Sequence, residues 1–430
     1  MGAGTYLGFP GLLYPASNAP PPGHAADGLA RAALVVPRDT AGNPAAGGRI
    51  VLLSIGMSNT TQEYCAPTNP SPCTAWSFAG QAAADPAVDH TTLAIVNGAA
   101  GGKSAAFWDS PTDPDYGRVL SSDLAPLGLT EAQVQAAWVK VANPGPTQSL
   151  PSASADAYTL ETQMGNIVRA LKTRYPNLAL VYFSSRIYAG YAQTPLNPEP
   201  YAYESGFAVK WIVGAQIAQQ DAGGAVVDPR AGDLGLAGGA PWIGWGPYLW
   251  ADGPTPRSDG LVWLPGDLSS DGTHPSSAGQ QKVGAMLLSF FKADPTSRSW
   301  FLASIAPSPL TFTALAPCRV LDTRAADGPL GGPALAAGSA RTFTIAGTCA
   351  VPSDAKAISA NVTVTQATAP GSLALAPGGA SPGGTVSYSA GQTRANNVLL
   401  ALDAAGALDA VALQPSGSVH VVLDVNGAFR

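Results

Sequence analysis

Apolar residues gather first at Ile50 to Ile55, a run between Arg49 and Gly56 that reads as a strand buried on both faces. Similar short runs follow at Thr92 to Val96, Gln133 to Val139 and Leu178 to Phe183. Between the last two, Leu160, Met164, Ile167, Val168 and Leu171 recur at helical spacing in a segment from about Asp156 to Tyr175, which Pro176 ends. A further helix starts after Pro275, with Val283, Met286, Leu287, Phe290 and Phe291 at i, i+3, i+4, i+7 and i+8. Strands alternating with helices predict an α/β domain whose parallel sheet is covered on both faces. Ligands enter such sheets at the carboxyl ends of the strands.

Residues 1–48 are rich in Gly, Pro and Ala with little periodicity, and are expected to form an extended segment over the first domain. Helical spacing stops near residue 304. The stretch S-I-A-P-S-P-L-T-F reads as a linker over 304–312, which makes 1–303 one domain and 313–430 another. Beyond the linker, short runs rich in Val, Thr and Leu alternate with Gly/Pro turns: Arg341 to Ile345, Ala357 to Thr365, Ser372 to Ala376, Thr385 to Ser389, Asn397 to Leu402, Ala410 to Gln414 and Val419 to Val425. That spacing predicts an all-β sandwich or small barrel.

Bulk properties narrow the function. Only 12% of the 430 residues are charged, against roughly 25% in an average soluble protein. The net charge of −6 gives no basic field for nucleic acid. No apolar run reaches the ~18 residues of a membrane span, and the N-terminus lacks a charged-then-apolar export signal, so any such signal is expected to have been removed. The four cysteines allow three pairings; Cys65–Cys73 with Cys318–Cys349 keeps each bridge within one domain and is preferred. No C-x-x-C or Cys/His cluster suggests zinc, so no metal or cofactor is expected. Structural disulfides imply an exported protein.

Candidate chemistry begins where the first strand ends, in R-I-V-L-L-S-I-G-M-S-N. A strand running into a tight turn would hold Ser58 at the carboxyl end of the sheet. A serine hydroxyl is a weak nucleophile without a base. Of the four histidines, His274 stands out because it lies in D-L-S-S-D-G-T-H-P-S, with Asp271 three residues before it. A carboxylate that close can fix the imidazole tautomer and leave the other ring nitrogen free to take a proton.

These blocks resemble the SGNH (GDSL-type) hydrolases over about residues 50–292. Gly56-Met57-Ser58-Asn59 is similar to the family's first block, closest to the branch with carbohydrate acetylesterases, and Asp271 to His274 is similar to its last. The resemblance implies a flavodoxin-like sheet, Ser58 as nucleophile, His274 as general base and acid, and Asp271 as the orienting carboxylate. It also implies an oxyanion site formed by the N–H of Ser58 and a glycine of N-G-A-A-G-G-K-S, Gly102 or its neighbour Gly101. The family's third block, G-x-N-D, is missing; Asn143 or Lys140 is expected in its place, with Arg186 as an alternative or a partner of Glu204.

Two aromatic-rich segments, Asn197 to Phe207 and Pro241 to Gly253, are expected to shape the pocket. Trp242, Trp245, Trp250 and Trp263 precede the Asp271 block and could stack on a sugar or acyl group. In the β domain, P-C-R-V-L-D-T-R and T-R-A-N-N resemble a C-terminal module of exported bacterial proteins, and Asp322, Arg324, Arg394 and Asn396 are expected to be structural. Together these observations predict a serine esterase acting on short-chain acyl esters, acetylated carbohydrate among them, without nucleic-acid or membrane partners. The alternative is a non-catalytic carbohydrate- or surface-binding protein of the same fold.

Overall fold

A computed structural model describes residues 1–66, 73–303, 310–378 and 384–430. The chain divides into two compact units, Met1–Ser304 and Ile305–Arg430. Most of the expected linker, residues 304–309, lies outside the described residues.

The first unit holds five parallel strands: β1 (Ile50–Gly56), β2 (Leu93–Asn97), β3 (Val134–Lys140), β4 (Leu180–Phe183) and β5 (Trp242–Trp245), in the order β2-β1-β3-β4-β5. This is the order of a doubly wound sheet, with a crevice where β1 and β3 diverge in connection. Strand β1 is buried along its whole length, and its side chains serve two cores in alternation. Val51, Leu53 and Ile55 join one cluster; Ile50 and Leu52 join the other. That period of two is the pleat of a strand covered on both sides.

Helices α1 (Pro22–Ala32), α2 (Ser58–Cys65), α3 (Phe78–Ala84), α4 (Asp156–Arg174), α5 (Tyr201–Asp221) and α6 (Ser277–Ala293) cover the sheet. In α4 the expected stripe is buried, with Leu160, Met164, Ile167, Val168 and Leu171 at most 4% exposed. Helix α6 is capped by Ser276, whose hydroxyl accepts from the Gly279 N–H, and it buries Val283, Leu287 and Phe291, four residues apart. Two expectations need correcting. Residues 1–48 are not simply extended: Thr5–Tyr6 pairs with Phe9–Pro10, and α1 packs near β5. The aromatic segments are mostly elements of the fold, and only Asn197 of the two lines the cleft. Tyr201 to Phe207 opens α5, a helix buried on nearly every face and so without periodicity, and Trp242–Trp245 is the fifth strand.

The second unit is antiparallel. Its strands are β6 (Phe312–Asp322), β7 (Leu335–Ala336), β8 (Ala340–Thr344), β9 (Ala357–Thr365), β10 (Gly371–Ala376), β11 (Gly384–Tyr388), β12 (Arg394–Ala401), β13 (Ala407–Leu413) and β14 (Ser418–Phe429). One sheet runs β8-β13-β10-β11 and the other β12-β9-β14-β6, with β7 also on β14. In β9 every second residue, Ile358, Ala360, Val362 and Val364, enters a cluster that also takes Phe343, Leu373 and Leu408 from the other sheet. Disulfides join Cys65 to Cys73 and Cys318 to Cys349, with Cα atoms 4.8 and 5.7 Å apart. Asp322 and Arg324 pair on the surface at 2.7 Å, and Asn396 donates to the Thr385 carbonyl.

Candidate active site

Four of the five strands deliver a residue to one cleft at the carboxyl edge of the sheet. Ser58 follows β1, Gly102 follows β2, Asn143 follows β3 and Arg186 follows β4; His274 comes from the loop before α6. The cleft encloses about 260 Å³ and is also lined by Met57, Ser104, Leu196 and Asn197.

The turn that presents Ser58 depends on Gly56. Its φ is +152°, and a Cβ there would lie 2.1 Å from the Lys140 carbonyl oxygen and 2.5 Å from Thr60 Oγ1. Thr60 Oγ1 accepts from the Met57 N–H and donates to that same carbonyl. Helix α2 therefore begins at Ser58 with its first turn tied to β3. On the other side, Ser54 Oγ donates to Asn97 Oδ1, and the Ala100 N–H donates to the Gly56 carbonyl, so the loop carrying Gly102 is held against β1.

The histidine loop is fixed as tightly. Gly272, with φ +64°, leaves room for the Tyr191 carbonyl, which a Cβ would meet at 1.9 Å. The Gln193 N–H donates to the Asp271 carbonyl, and Asn59 Nδ2 donates to the Thr273 carbonyl, linking this loop to α2. Asp271 Oδ1 accepts from the N–H groups of Thr273 and His274, while Oδ2 lies 2.5 Å from His274 Nδ1. Partial burial pushes the Asp271 carboxyl upward, yet the bonds from the His274 ring and these two N–H groups outweigh it and hold the group below its ordinary value. Ser58 Oγ stands 2.7 Å from His274 Nε2. A carboxylate can only accept, so the imidazole proton belongs on Nδ1 and Nε2 is left to accept from the serine hydroxyl.

The other expected site residues divide. Gly102 lines the cleft. Asn143 lines it too, with its Nδ2 donating to Gln163 Oε1 at 2.5 Å. Lys140 does not reach it. Its Nζ is fully buried, 2.5 Å from both oxygens of an equally buried Glu63, because the last β3 side chain points under α2 rather than over the sheet edge. Burial pulls Lys140 down to about 8 and pushes Glu63 up, and their mutual contact opposes both shifts.

Arg186 lines the cleft but does not pair with Glu204, which accepts from the Leu150 N–H and the Tyr6 hydroxyl. None of the four tryptophans lines it. Trp242 stacks on His24 and Trp245 donates to the Leu13 carbonyl. Trp250 donates to Glu199 and Trp263 to the Leu249 carbonyl. Their indole N–H groups anchor segments of the core, the usual arrangement for a buried tryptophan. The sequence reading names Asn59 only as part of the first block and gives it no role, and Thr60 went unnoticed; the small polar run S-N-T-T after the turn was the available signal. Among the described residues no group of three or more His, Cys, Asp or Glu side chains could hold a metal ion, and no helix is long and apolar enough to cross a membrane.

No family model matches the chain, and no curated protein matches its sequence. Among solved structures, it is similar to an extracellular lipase from Streptomyces rimosus at 16% identity, covering 56% of this chain and 99% of that one with a TM-score of 0.28. A phospholipase A1 from Streptomyces albidoflavus NA297 is similar at 12% identity over 57% of this chain and 100% of that one, TM-score 0.26. A candidate GDSL-like lipase from Parabacteroides merdae is similar at 12% identity over 56% and 94%, TM-score 0.28.

Proposed function

We propose that the first unit is a serine esterase of the SGNH type, hydrolysing short-chain carboxylic esters, acetylated carbohydrate among them. The observation that carries this is the hydrogen-bonded line from Ser58 Oγ through the His274 ring to Asp271 Oδ2. In the proposed cycle Ser58 Oγ attacks the ester carbonyl carbon while Nε2 takes the hydroxyl proton. Asp271 stabilises the resulting imidazolium. The N–H groups of Ser58 and Gly102 and the Asn143 amide would receive the developing oxyanion, each donor contributing on the order of 3 kcal/mol. Nε2 then protonates the departing alcohol, and water repeats the sequence on the acyl-serine. The cleft of about 260 Å³ suits a short acyl group better than a long chain. The second unit is read as a β-sandwich accessory domain, supported by two separate sheets around one core. The two disulfides support an exported protein.

The test is turnover of p-nitrophenyl acetate with mass-spectrometric detection of fluorophosphonate on Ser58. Ser58→Ala and His274→Ala are each expected to lower kcat by roughly 10³-fold or more. Wild-type rates in both variants, or no turnover and no label in the native protein, would remove the esterase assignment and leave a binding protein.

A further inference from the structure

Among the described residues that line the cleft, Arg186 alone carries a permanent charge, and it is 1% exposed. Its backbone is held by Ser205, whose Oγ accepts the Arg186 N–H. Its guanidinium is not held in the same way. Nε and Nη2 are buried and make no hydrogen bond to any described residue. A buried cation with idle donors is costly, and such groups are ordinarily paired.

The carboxylates whose charge reaches it are Glu63, Glu199 and Asp271. Each is committed elsewhere. Glu63 binds Lys140, and Asp271 binds His274. Glu199 accepts from Trp250 Nε1 and from the N–H groups of Ala189 and Tyr203. Burial lowers the guanidinium from its ordinary value, and these three more distant carboxylates oppose that loss.

Nε and Nη2 form one edge of the guanidinium fork, the edge that takes both oxygens of a carboxylate in parallel; both atoms are closed to solvent, so the side chain at the cleft wall must turn to present that edge to a ligand. We propose that the ester cleaved in this cleft carries a second, ionised carboxylate, and that Arg186 receives it. This rests on the esterase reading of the same cleft and adds the class of substrate: a half-ester of a short dicarboxylic acid, or an acyl ester of a hydroxy acid or acidic sugar. The carboxylate supplies the acceptor that the fold withholds, and neutral esters of the same size leave the cation unpaired. Discrimination of this kind is large, because the loss falls on a buried charged donor.

The experiment compares matched esters on the full chain: mono-p-nitrophenyl succinate against p-nitrophenyl butyrate, and 3-acetoxybenzoate against phenyl acetate. Each kcat/KM is corrected for the ester's own rate of alkaline hydrolysis. At least one acid ester is expected to exceed its neutral partner by tenfold or more. Arg186→Met should bring that ratio close to one, and Arg186→Lys should leave it between the two. A calorimetric titration with glutarate reads the same site without turnover, with binding expected in the wild type and lost in Arg186→Met.

A wild type that hydrolyses both pairs without preference overturns the proposal while the esterase reading stands; that comparison needs no variant to fold. An acid preference that persists in Arg186→Met also overturns it, as does an equal fall on both esters, which would assign Arg186 to the reacting carbonyl. Absence of all turnover and of Ser58 labelling removes the esterase reading instead. Glutarate binding that depends on Arg186 would in that case still support a carboxylate site.

Discussion

Replacing Gly56 by alanine tests the link between the turn and the chemistry. The new Cβ would sit 2.1 Å from the Lys140 carbonyl oxygen and 2.5 Å from Thr60 Oγ1. Ordinary carbon–oxygen contact needs more than 3 Å, so the turn and the end of β3 must separate by about 1 Å. Neither side yields easily. Gly56 and Lys140 are register partners in the parallel sheet, and the Lys140 carbonyl already accepts from Thr60. The backbone adds its own penalty, since φ of +152° is a glycine conformation costing about 1–3 kcal/mol for other residues. Together with the displaced hydrogen bond, at roughly 1 kcal/mol, the expected loss is about 3 kcal/mol. In a unit of this size that lowers the melting temperature by several degrees, on the scale of about 2–4 °C per kcal/mol. The chemical loss should be disproportionate, because a shift of about 1 Å between reacting groups can cost ~100-fold. Thermal unfolding and the rate of fluorophosphonate labelling at Ser58 measure the two effects separately. A Gly56→Ala protein that melts and labels like the wild type would refute the account of the turn.

Lys140→Met should strand the buried Glu63 carboxylate and cost about 3 kcal/mol or more in denaturant unfolding, with much of it restored in Lys140→Met/Glu63→Leu. If activity fell far more than stability, Lys140 would belong to the cleft after all. Glu161 is pushed up from 4.5 to about 8 by burial and by Asp228. The folded state therefore binds more protons than the unfolded chain across that window, and this residue's contribution to stability declines as pH rises from 4.5 through 8. Glu161→Gln should accordingly gain on the wild type at pH 9 relative to pH 5, by on the order of 4 kcal/mol in chemical unfolding; an equal effect at both pH values would contradict the assignment. A chain ending at Ala303 is expected to hydrolyse small soluble esters at near the full rate, because the first unit keeps both of its own hydrophobic clusters. A folded truncation without turnover would show that the second unit helps complete the site.

The strand and helix boundaries that could be read from the chain are those with a clean period. Helix α4 shows its stripe of Leu160, Met164, Ile167, Val168 and Leu171, and β9 shows strict alternation from Ala357 to Thr365. Helix α5 could not be read this way, because residues around its whole circumference are buried and no face is marked by polarity. Strand β5 was hidden for a related reason: W-I-G-W is short, aromatic and flanked by Gly and Pro, which suits an irregular loop equally well. The same ambiguity made the tryptophans look like pocket walls, whereas their indole N–H groups are committed to backbone carbonyls and Glu199.

Ser58, Asp271 and His274 could be nominated from the chain because their chemistry is local: a turn glycine before one, and a three-residue spacing between the others. What lies beside them is not local. Lys140 ends β3 and Arg186 lies just beyond β4, yet Lys140 finds Glu63 and is sealed beneath α2, while Arg186 lines the cleft with two buried donors idle. Spacing along the chain can select residue types and the face of an element. Which distant partner meets a charged side chain depends on how strands β1, β3 and β4 are stacked in register and what the helices leave uncovered, and only the tertiary structure decides that.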